Sequence, residues 1–115
     1  MKNKTYTIRI GETSLFKLKG NVVTLYGDLF KDLEFVCGQM LGDFYVWETS
    51  TGITVQKGPS EMSAIYNATM HLSKMVDTYP PFVEAQRPVL EELMKEQHRT
   101  NLMPMFQAQD LQASS

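Results

Sequence analysis

Along residues 4–10, apolar and polar side chains alternate without a break. Tyr6, Ile8 and Ile10 fall on one side of an extended chain, and Thr5, Thr7 and Arg9 on the other. A period of two predicts a half-buried strand. Residues 14–19 alternate again, Phe16 and Leu18 against Lys17 and Lys19. Gly20-Asn21 then supplies turn chemistry, and residues 22–26 are β-branched and aromatic, so three antiparallel strands are predicted before Asp28.

At Asp28 the period changes. Leu29, Phe30, Leu33, Cys37, Met40 and Leu41 line one stripe of a helix, with Asp28 as its N-cap and Gly42 as its terminator. A strand over residues 33–37 competes with that helix, which the stripe favours. Residues 43–49 and 52–57 then form the clearest hairpin of the chain. Its loop is Ser50-Thr51, and Gly52 is free to take a positive φ. Gly58-Pro59-Ser60 ends the hairpin and caps a second helix. That helix runs from Glu61 to about Asp77, with Ile65, Ala68, Leu72, Met75 and Val76 on its buried stripe. Tyr79-Pro80-Pro81 breaks it. A last helical stretch, residues 82–100, starts near Pro88 and uses Val83, Val89, Leu90, Leu93 and Met94. The order β-β-β-α-β-β-α-α predicts an α+β fold, an antiparallel sheet of about five strands covered on one face by two to three helices. Residues 1–100 form the domain, and 101–115 a C-terminal tail docked on the domain or on a partner.

Composition narrows the class. In 115 residues with a formal charge of −2, Leu, Ile, Val and Phe make up about a quarter, enough apolar material to offset chain entropy. No run approaches the roughly 20 apolar residues of a membrane span. Residues 1–20 lack a signal-peptide core, and the single cysteine cannot make an internal bridge. The expectation is a soluble cytoplasmic protein, in the host cytoplasm if phage-encoded.

Charge is uneven. Residues 1–20 balance at +4 and the remainder at −6. With a sequence pI of about 5.6, the chain lacks the basic footprint of a nucleic-acid binder. A local basic patch at Lys17 and Lys19 remains the basis for an alternative nucleic-acid-associated module, but ordinary strand alternation, with the lysines as its solvated face, is the simpler account.

The search for chemistry finds no catalytic, cofactor-binding or metal-binding set. Cys37 falls on an apolar stripe, whereas reactive thiolates sit in exposed electropositive surroundings. His71 and His98 have no second His or Cys at ligand spacing. Glu92 and Glu96 share a surface with an ordinary Glu91–Lys95 pair. No Gly-x-Ser-x-Gly, Gly-x-x-x-x-Gly-Lys or Gly-x-Gly-x-x-Gly occurs. No enzyme and no cofactor are expected.

Two features stand out. There are eight methionines; Met40, Met62 and Met75 read as core fillers, but Met103 and Met105 flank Pro104 beside Phe106, outside any clear helix. In the hairpin, Phe44, Val46, Ile53 and Val55 face the helices, which puts Tyr45 and Trp47 on the opposite face, exposed or covered by the tail or a second copy. Trp and Tyr anchor interfaces. The expected partner-binding residues are therefore Tyr45, Trp47, Met103, Met105 and Phe106. The expected function is non-enzymatic protein binding, of the kind by which phage or mobile-element inhibitors block a host protein complex. A secretion or assembly chaperone is a second alternative, and a homodimer is compatible with each.

Overall fold

In the computed structural model, which describes residues 3–11 and 14–102, five strands precede two helices. The strands are β1 (Asn3–Ile10), β2 (Ser14–Val23), β3 (Phe35–Met40), β4 (Asp43–Glu48) and β5 (Thr54–Gly58). They form one antiparallel sheet in sequence order. The helices are α1 (Glu61–Ser73) and α2 (Tyr79–Leu102). The α+β class and the strand count agree with the sequence pattern; the order β-β-β-β-β-α-α does not.

Two elements account for the difference. The strands expected at 14–19 and 22–26 are one strand, β2. Gly20 lies within it, where a Cβ would stand 2.6 Å from Val36 Cγ2 and 2.8 Å from the Cys37 carbonyl oxygen. It is glycine because β3 passes too close for a side chain, not because the chain turns. The helix expected over 28–41 is instead a short 3-10 turn (Tyr26–Asp28), a loop and β3. Asp28 and Phe30 take left-handed φ of 54° and 52°, which no α-helix contains.

The hairpin and the start of α1 follow expectation. Ser60 Oγ accepts from the Ser63 backbone N–H at 3.1 Å, and Ser63 Oγ accepts from that of Ser60 at 3.0 Å, a reciprocal cap. The chain breaks at residues 74–78 rather than at the prolines. Pro80 and Pro81 occupy the first turn of α2, where a missing N–H removes no intrahelical bond, so α2 begins there and not near Pro88.

Two clusters make the core. On the helix side, Phe35, Cys37 and Val46 pack against Ala64, Ala68 and Leu72 of α1 and Tyr79 and Val83 of α2. On the other side, Ile8, Val36 and Trp47 are buried with Tyr6, Leu18, Met40 and Tyr45 around them. In a flat sheet, β1 and β4 would stand about 14 Å apart, three strand spacings. Here they share a cluster, because the sheet curls until β1 reaches the loop before β5. Arg9 N–H donates to the Gly52 carbonyl at 2.7 Å, closing the curl. Two side-chain bonds tie α2 to that seam: Arg9 Nη1 to Gln86 Oε1 at 2.9 Å, and Arg87 Nε to Ser50 Oγ at 3.0 Å.

Candidate interaction surface

Tyr45 and Trp47 do lie on the face opposite the helices, stacked 5.7 Å apart. Trp47, expected to be exposed or covered by the tail or a second copy, is 1% exposed, and the residues around it belong to the chain's own curled sheet. A ring enclosed by Ile8 and Val36 supports the fold and is not free to touch a partner. Tyr45 is half-buried, with Lys57 Nζ 5.8 Å from its ring centre. Met103, Met105 and Phe106 lie outside the described residues, as does most of the tail. Lys17 and Lys19 are exposed on one side of β2, paired with Thr7 and Thr5 of β1.

The groups considered for chemistry are dispersed. His98 lines a groove of about 300 Å³ with Phe16, Lys17 and Met94, whereas His71 borders one of about 180 Å³ beside Leu72 and Tyr79. Among the described residues, no three His, Cys, Asp or Glu side chains gather as a metal site. Glu92 pairs with Lys95 at 3.6 Å on an exposed surface. The buried carboxylate is that of Glu48, which sequence reasoning passed over. It accepts from Ser50 N–H (2.9 Å), Ser50 Oγ (2.7 Å) and Thr51 N–H (2.9 Å). At 1% exposure, Glu48 clasps the β4–β5 loop and is closed to a substrate.

Cys37 is buried, and burial, with a smaller push from the Glu61 carboxylate, raises its thiol from 9.0 to about 11. A thiol that holds its proton more tightly when folded contributes stability below pH 9.0, and that contribution is lost as pH rises towards 11. The stability advantage of wild type over Cys37→Ala should therefore be constant up to about pH 9 and narrow above it. Chemical denaturation of both proteins across that range tests this; an advantage that stays constant to pH 11 contradicts it.

The fold leaves one face of α1 open. Ala64, Ala68 and Leu72 point into the core, while Met62, Tyr66 and Met70 point outward, 73%, 55% and 46% exposed. Met40 and Met75 pack against the two clusters as core fillers; Met62 does not. Beside the stripe lies Tyr26, its ring 6.5 Å from that of Tyr66 and its backbone N–H bonded to Thr69 Oγ1 at 3.1 Å. Between Glu61 and Lys74, α1 has no acidic or basic side chain except the imidazole of His71. Solvated helix faces normally carry charge. The signal was present in the sequence: positions 62, 66 and 70 form a second apolar row at i, i+4 and i+8.

Leu41 is among the other exposed apolar side chains, with Phe16, Val76 and Met94. It is 90% exposed at the tip of the β3–β4 hairpin. Leu41 and Gly42 both have positive φ, 55° and 86°, the two-residue loop geometry that favours Asn-Gly. Leu41→Asn should stabilise the fold by about 0.5–1 kcal/mol, because asparagine tolerates the left-handed region better than leucine. A melting temperature that falls would contradict this reading of the turn.

No protein-family model, curated protein or solved structure matches the chain.

Proposed function

We propose that the protein is a non-enzymatic protein-binding domain that docks through the exposed face of α1. The observation that carries this is the row Met62, Tyr66 and Met70 with Tyr26 beside it, an apolar row on a capped helix that itself carries no Asp, Glu, Lys or Arg between Glu61 and Lys74. Methionine adapts to an apolar partner surface, and tyrosine supplies a large contact area with few rotamers to freeze. A blocker of a host protein complex and an assembly chaperone both need a face of this kind.

The test is a capture experiment with tagged protein in the source cell. Wild type should retain a protein partner, a second copy of itself included, and Tyr66→Glu should reduce retention at least tenfold, the loss expected for one interface anchor. Circular dichroism and melting temperature should stay unchanged, since Tyr66 contributes little to the core. Full retention by Tyr66→Glu would overturn the proposal.

A further inference from the structure

The row on α1 is symmetric about Tyr66, with a methionine four residues before it and another four residues after. Small side chains flank it, Ser63 and Thr69 being three residues to either side. A two-fold interface places residue i against j and j against i. Two copies of α1 laid antiparallel across an axis at Tyr66 therefore match along the row: Tyr66 meets Tyr66, and each Met62 meets a Met70. From this we infer that the occupant of the α1 face is a second copy of the chain, related by a two-fold axis through Tyr66.

Charge and area agree with that assignment. Each chain carries a formal charge of −2, yet no carboxylate lies on α1 between Met62 and Ser73, so the two helix faces bring no acidic side chains of their own together. Antiparallel pairing also brings the Glu61 end of each helix towards the Lys74 end of the other, and sets the two helix dipoles head to tail. On the side where Tyr26 flanks Tyr66, the same axis brings the two Tyr26 rings alongside the central pair. The exposed parts of Met62, Tyr66, Met70 and Tyr26 amount to roughly 500 Å² per copy, so their complete burial would bring the pair to about 1,000 Å², the lower bound for a specific interface.

The inference rests on α1 being the docking face, and the experiment separates the two. In sedimentation velocity at micromolar concentration, wild type should run as a dimer. Tyr66→Lys and Tyr66→Glu should each run as monomers, because the axis sets like charges against each other. A mixture of the two variants should recover a dimer containing one of each. In a Cys37→Ala background, Met62→Cys mixed with Met70→Cys should oxidise to a crosslinked dimer. Met62→Cys alone should not, since its two copies stand about 12 Å apart along the helices, beyond disulfide reach. A wild-type monomer whose Tyr66→Glu variant loses a different captured protein overturns the second-copy assignment and leaves α1 as the docking face. A Tyr66→Glu variant that alters neither self-association nor capture overturns both.

Discussion

Trp47→Ala should cost about 3–5 kcal/mol, the range for removing a large aromatic from a packed interior. The ring fills the inside of the curl, where Ile8, Val36 and the Tyr45 ring enclose it and where Gly38 is bare of a Cβ that would stand 3.1 Å from it. Gly38, the position facing the ring on β3, contributes no side chain to refill that volume. Urea unfolding followed by circular dichroism is the appropriate measurement, since the substitution removes the only tryptophan. Trp47→Phe should lose much less. It keeps an aromatic in the space, and the indole N–H it deletes is buried without a hydrogen-bond partner among the described residues. A loss below about 1 kcal/mol for Trp47→Ala would mean that the curl is held elsewhere.

The two aromatic positions thus separate by role. Trp47→Ala should lower stability strongly, and any loss of association would follow from unfolding. Tyr66→Glu should leave stability unchanged and abolish association. Residue type alone does not distinguish them, as both are ring-bearing and interface-prone; burial does. In the sequence, Trp47 lay on the correct face, opposite Val46. What its cover would be depended on the curl, and the curl depends on β1 meeting Gly52, a contact between residues more than forty positions apart.

Where alternation marks one wet and one dry face, the sequence was legible: β1, β4 and β5 and the Ser60 cap stand close to where the pattern puts them. β3 was not, for a definite reason. Phe35, Val36, Cys37 and Gly38 are all buried, so both faces of the strand are apolar and its period disappears. A short continuous apolar run then completes a helical stripe with Leu29, Phe30 and Leu33 by coincidence of spacing. Gly20 misled in the opposite direction, since a glycine required by a neighbouring backbone has the same sequence signature as a glycine in a turn. Pro80 and Pro81 carry the sequence signature of a helix end because proline breaks a helix interior, yet the first turn accepts both. The α1 face was missed because the core stripe was traced and the second row was not. Met62 joined the core on residue type, although its spacing from Ala64 and Ala68 points it outward.

Gly52→Ala should destabilise the fold by about 2–4 kcal/mol, combining a backbone term with the loss of the seam. Gly52 has a φ of 70°, a region that alanine occupies only with strain. An added Cβ would also stand 2.9 Å from the Thr7 carbonyl oxygen and 3.3 Å from Arg9 N. Those atoms are main chain, so β1 has to move, and the 2.7 Å bond from Arg9 N–H to the Gly52 carbonyl goes with it. Gly42→Ala provides the control, as Gly42 has a φ of 86° but nothing within 4 Å of the new methyl. It should carry the backbone term alone, about 1 kcal/mol. The difference between the two variants is then the worth of closing the curl. Two further measurements locate it. Amide exchange at Arg9 should accelerate in Gly52→Ala and not in Gly42→Ala, and the Trp47 emission should shift to the red only where β1 has lifted from it. Equal losses for the two glycines, with Arg9 still protected, would show that the sheet holds its curl without the seam. The cover of Trp47 would then come from the β1–β2 pairing alone.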